Sequence, residues 1–132
     1  MLSKGSYINS NNDKINIFNS STVDKFTTKV TNVPYPNSRA LGWDTVPIST
    51  TKACGDYFSP NSFGHTGFTG TSIYADKEKD LAVILLTNRV YPFRNRTADP
   101  IRYFRVAAMN LICEVMGYVN DFWITYFFIK NS

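Results

Sequence analysis

Cysteine is scarce, with Cys54 and Cys113 the only two among 132 residues. Two thiols that far apart neither demand a disulfide framework nor form a metal-spaced pair. Histidine is scarcer still, limited to His65, so no zinc site is expected. No long hydrophobic run is present. The longest, Phe122 to Ile129, falls far short of the ~20 residues that span a bilayer, and no transmembrane segment is expected. The start, Met1-Leu2-Ser3-Lys4-Gly5-Ser6, lacks the apolar core of a signal peptide. A charge block of one sign is also missing. The net charge of +4 comes from 14 basic and 10 acidic residues, scattered as in Asp76-Lys77-Glu78-Lys79-Asp80. The nearest approach to a basic stripe is Arg89, Arg94, Arg96, Arg102 and Arg105, which reads as a solvated loop and helix face. No nucleic-acid partner is expected.

What remains suits one folded domain. Hydrophobic residues make up 43% and charged residues 18%, which argues against bulk disorder. Residues 1 to 19 are polar and turn-rich. Thr22 to Val30 places Val23, Phe26 and Val30 at helical spacing, with Ser21 as N-cap and Asp24 three residues on. Ala40 to Val46 alternates Leu41, Trp43 and Thr45 as a strand would. Phe63 to Gly67, Thr71 to Ala75 and Leu81 to Thr87 read as three strands, the last two joined in a tight hairpin. The run Leu81-Ala82-Val83-Ile84-Leu85-Leu86 lacks polar alternation, so it is expected to be a central strand buried on both faces. Asp99-Pro100 opens a helix that Gly117 ends. Its expected apolar stripe is Ile101, Phe104, Ala108, Leu111, Ile112 and Val115, with Arg102, Arg105 and Asn110 off it.

Chemistry concentrates in Gly64-His65-Thr66-Gly67-Phe68-Thr69-Gly70-Thr71. Three glycines in seven residues beside a strand permit close approach to the backbone. Hydroxyls and the imidazole lie between them, and such a strand edge can present N–H groups to a carbonyl or carboxylate. A plain glycine-rich bend at a sheet edge is the competing reading. A phosphate loop is a poor fit, because no Gly-Lys-Ser/Thr follows and the segment leads into a strand.

From Phe63 through Asn88, the stretch FGHTGFTGTSIYADKEKDLAVILLTN resembles the strand-turn-strand region of the serine beta-lactamase-related family. That family includes class C beta-lactamases, D-alanyl-D-alanine peptidases and related esterases. There, Lys-Thr-Gly or His-Thr-Gly edges the active site, followed by a hairpin and a C-terminal helix. The resemblance implies an α+β fold: the C-terminal portion of the beta-lactamase/transpeptidase-like fold, an antiparallel sheet covered by a C-terminal helix. It implies His65, Thr66 and Gly67 as substrate-binding residues and the Phe68 backbone N–H as one of two oxyanion donors. It implies no cofactor. Histidine in place of lysine is more typical of the family's esterase-like and peptidase-like branches.

The family's nucleophile lies in a Ser-x-x-Lys motif far N-terminal to this region, with Tyr-x-Asn or Ser-x-Asn between the two. Ser49-Thr50-Thr51-Lys52 has the first spacing, but 11 serines and 8 lysines generate roughly 0.7 such pairs by chance. It sits in a loop only a short distance before His65. Tyr7-Ile8-Asn9 and Tyr35-Pro36-Asn37 both precede it, against the family's order. All three read as coincidences. Residues 1–117 are accordingly expected to form a partial domain, inactive alone, whose partners are the missing N-terminal half and, once complemented, a small-molecule ester or amide. The alternative is a non-catalytic binding or interaction module derived from the fold. The aromatic tail 118–132, with six of the chain's 20 aromatics, lies outside the resemblance. An open sheet edge and exposed apolar surface are expected where the N-terminal segment is absent.

Overall fold

A computed structural model describes residues 5–31, 39–46, 53–94 and 97–118. The Ser49–Lys52 pair, Tyr35–Asn37 and the tail beyond Tyr118 lie outside the described residues. The polar start holds a hairpin that its composition hid: β1 (Ser6–Ile8) pairs antiparallel with β2 (Lys14–Asn16). Its loop is built by Asn9, whose Oδ1 accepts from the N–H groups of Asn11 (2.9 Å) and Asp13 (2.8 Å). Asn12 takes φ 66°, a left-handed conformation that Asn tolerates better than most residues. Helix α1 (Ser20–Thr27) follows. It begins two residues before the expected start, behind Asn19, with no side-chain cap. Phe26 stays about half exposed at 48%, so tertiary contacts hold α1 only lightly; one is Lys77 Nζ to Asp24 Oδ1 at 2.9 Å.

The main sheet has four antiparallel strands in the order β3 (Asp44–Thr45), β4 (Phe63–Thr66), β5 (Ser72–Asp76) and β6 (Leu81–Leu85). The strand expected over Ala40–Val46 shrinks to two residues. Gly42 at φ 84° and an Arg39↔Asp44 bridge turn Ala40 to Trp43 into a chain reversal. Trp43 still packs, edge to face on Phe63 with ring centroids 5.3 Å apart.

Strand β6 is not central; among the described residues it is the sheet's edge. Nor is it buried on both faces, for Val83 is buried while Ile84 is 63% exposed. The apolar run therefore carries the two-faced alternation of an ordinary strand without the polar residues that would advertise it. Gly64, Tyr74 and Val83 stand side by side on one face. Helix α2 (Asp99–Val115) covers that face, with Met109 and Cys113 in the same cluster as Cys54, Phe58, Tyr74 and Val83. The two thiols are free and buried. A Cβ on Gly64 would run into the Tyr74 ring and the Ile73 carbonyl, so glycine leaves that ring its place. Burial, with smaller contributions from nearby Cys54 and Asp44, raises the Tyr74 phenol well above its ordinary pKa. It stays neutral as a packing residue.

Helix α2 is rotated relative to the stripe expected from sequence. Its buried line is Ile101, Arg105, Met109 and Cys113, every fourth residue, whereas Phe104, Leu111 and Val115 are exposed. Asn110 is tied down as well: its Oδ1 accepts from Asp56 N–H (2.7 Å) and its Nδ2 donates to Asp56 Oδ2 (2.9 Å). The helix stops as expected, in a Schellman arrangement: Gly117 at φ 72°, Tyr118 N–H to Cys113 O at 2.9 Å and Gly117 N–H to Glu114 O at 3.0 Å.

Asp76, the last residue of β5, enters the tight charged connection to β6 from inside the protein. At 1% exposed it accepts from Ser59 N–H (2.7 Å), Glu78 N–H (2.9 Å) and Lys79 N–H (3.1 Å). Burial alone pushes its carboxyl up. The hydrogen bonds from Ser59, Lys79 and Glu78 outweigh that and hold it below the usual carboxylate range.

Candidate active-site strand

The His-Thr-Gly segment sits where β4 runs out of neighbours. On one side β4 pairs with β5 through His65↔Ile73 and Thr66↔Ser72; on the other, β3 reaches only Phe63 and Gly64. The outer edge at His65 and Thr66 is therefore unpaired by any described strand. His65 is exposed, on the face opposite α2, in line with Ile73 and Ile84. A shallow groove of about 370 Å³ runs along this face, lined by His65, Thr66, Gly67, Ile73, Ile84 and Leu86 among others.

Each member of the motif has a defined setting. His65 Nδ1 lies 2.9 Å from Thr66 O, and its Nε2 lies 3.4 Å from Arg39 Nη1. Arg39 in turn pairs with Asp44 Oδ1 at 3.1 Å through its Nε. Thr66 is half-buried at the groove. Gly67 donates its N–H to Thr71 O at 2.7 Å, and its carbonyl accepts from Gly70 N–H at 3.1 Å. The space a Cβ would need at Gly67 is taken by Thr71 Oγ1, so the glycine accommodates the chain's own turn. Phe68 is 61% exposed, and its N–H has no acceptor among the described residues. Its ring lies under two guanidinium groups, Arg89 at 4.5 Å and Arg94 at 5.5 Å from the centroid. Its carbonyl accepts from Arg89 Nε at 2.6 Å.

Sequence reasoning missed Arg39 and Arg105 as neighbours of this segment. Arg105 reaches across from α2 and donates to the carbonyls of Gly67, Gly70 and Thr71 at 2.9–3.1 Å. Its four-residue spacing from Ile101 and Met109 was the available signal, overridden by the presumption that an arginine faces water. Arg39 left no such signal, because only the reversal at Gly42 brings it beside β4.

The beta-lactamase family model matches residues 18–108, well over half of the chain. The chain belongs to the beta-lactamase family. Among curated relatives, an N-acetylmuramyl-L-alanine amidase of Bacillus subtilis (strain 168) is 38% identical over 90 residues, which is 67% of this chain and 19% of that protein. A putative D-alanyl-D-alanine carboxypeptidase of Salmonella typhi is 33% identical over 102 residues, 76% of this chain and 22% of that one. This beta-lactamase-family chain thus spans about a fifth of the length of the curated relatives it matches. A crystal structure of a beta-lactamase from Mycobacterium bovis superposes with a TM-score of 0.60 at 23% identity, covering 74% of this chain and 37% of that one. At that identity the likeness shows the fold: α+β, with an antiparallel sheet and a C-terminal helix. No helix among the described residues is long and apolar enough to cross a membrane.

Proposed function

We propose that this chain forms one wall of the acyl-transfer site of a beta-lactamase-family serine hydrolase acting on a small ester or amide. His65, Thr66 and Gly67 line the substrate, and the Phe68 N–H is one of two donors to the oxyanion. The nucleophilic serine and its lysine, in the family's Ser-x-x-Lys, come from a segment N-terminal to the matched region, so the 132-residue chain is inactive by itself. The observation that carries this reading is the Phe68 N–H. It is a donor with no acceptor among the described residues, on an exposed residue one position beyond the groove-lining His65-Thr66-Gly67. A preorganised N–H of this kind gains value as charge develops on the substrate carbonyl oxygen, and losing one such donor costs about 10²–10³ in kcat. The amidase and carboxypeptidase names of the relatives support an amide bond as the target.

The test is intact mass after incubation with a fluorophosphonate and, separately, a labelled penicillin. It is run on the chain alone and on the chain mixed with a segment carrying Ser-x-x-Lys and Tyr-x-Asn. An adduct only in the mixture, on the added segment, is the expected result. A stoichiometric adduct on the chain alone, lost in Ser49→Ala, places a competent nucleophile within it and overturns the reading. So does a folded mixture that forms no adduct at all.

A further inference from the structure

Arg105 is the one buried cation among the described residues, 6% exposed and with no carboxylate in salt-bridge range there. Burial lowers its guanidinium pKa; Tyr74 opposes that in part, and Arg89 and Arg102 add smaller contributions in the same direction as burial. An aliphatic residue would continue the line of Ile101 and Met109 without desolvating a charge. What the guanidinium adds is a grip on three carbonyls: Nη2 to Gly67 O and Thr71 O, both 2.9 Å, and Nε to Gly70 O at 3.1 Å.

The Gly67 carbonyl belongs to the same planar unit as the Phe68 N–H, and a trans peptide points the two in opposite directions. Arg105 at 2.9 Å and the turn's own Gly70 N–H at 3.1 Å both hold that carbonyl inward, so the N–H is aimed outward. A cation hydrogen-bonded to the oxygen also polarises the peptide, which strengthens its N–H as a donor. The next peptide is held separately through Phe68 O by Arg89 Nε at 2.6 Å. We infer that Arg105 is the positioning residue of the Phe68 N–H: it fixes the direction of that donor and raises its strength without touching substrate. This rests on the reading of Phe68 as an oxyanion donor.

The experiment is amide NMR of the isotope-labelled chain, which is readable whether or not acyl transfer is ever observed. In Arg105→Met the Phe68 amide proton is expected to move upfield and broaden while the amides of the β5–β6 hairpin stay in place. Arg105→Lys, a point charge without the planar fork, should restore part of the shift. A residue that only packs would lower thermal stability and leave the Phe68 amide where it was; that result overturns the inference. Should Arg105→Met fail to fold, the wild-type chain decides. Slow solvent exchange of the Arg105 Nε–H supports the grip on Gly70, and rapid exchange refutes it.

Discussion

His65 is the only histidine in the chain, and its two contacts define its proton. Arginine donates and never accepts, and a carbonyl only accepts. The Nε2 facing Arg39 Nη1 is therefore the bare nitrogen, and the Nδ1 facing Thr66 O carries the hydrogen. Long-range nitrogen NMR of the neutral ring should show a protonated Nδ1. In Arg39→Ala the Nε2-protonated form should grow at its expense. A wild-type signal with the proton on Nε2 would refute the arrangement. Both ring nitrogens are thus engaged by neighbours within the chain. The His-Thr-Gly letters were legible in the sequence. The partner of the histidine was not, because Arg39 arrives through a chain reversal twenty-six positions upstream.

Helix α2 shows at the scale of an element how a correct period can carry a wrong phase. Both ends were legible, because proline at the start and glycine at the stop act locally. The buried line was not, because apolar residues surround the helix and periodicity alone cannot rank them. Packing on Tyr74 and Val83 chose Met109 and Cys113, both 0% exposed. Met109→Ala should therefore cost about 2–5 kcal/mol. Val115→Ala, at a position 78% exposed, should stay within about 0.5 kcal/mol. Urea unfolding of the two variants checks this, and equal costs would mean the helix is seated in the other phase. The hairpin β5–β6 was read correctly as a unit. The burial of Asp76 beside its turn was not legible, because a carboxylate that collects three N–H groups looks in sequence like any other charge in a charged run.

At the scale of the whole molecule, the sheet is covered by α2 on one side and, among the described residues, bare on the other. Ile84 is 63% and Leu86 80% exposed, beside Ile73 at 36%, and β6 presents an edge with no described neighbour. Contiguous apolar surface of this kind next to an unpaired strand favours association between chains. Sedimentation velocity of the chain alone should show concentration-dependent self-association. The Ile84→Lys, Leu86→Lys double variant should reduce it while shifting stability by no more than about 0.5 kcal/mol, as expected of exposed sites. A monomeric wild-type chain at high concentration would contradict this. The expectation of exposed apolar surface came from the family resemblance; its location came from the alternation of Val83 and Ile84 about the sheet.

The sequence by itself determined the elements whose causes are local: the β5–β6 hairpin, the start and stop of α2, and the glycine-spaced motif that identifies the family. Tertiary structure decided what depends on neighbours distant in the chain. It set which side of an all-apolar strand is covered, which line of α2 is buried, and that Arg105 and Asp76 lie inside rather than in water. The physical reason is that burial of a charge is settled by whether donors or acceptors wait at the destination. Those groups, the carbonyls of 67, 70 and 71 and the N–H groups of 59, 78 and 79, are backbone atoms that every sequence carries and no side-chain pattern reveals.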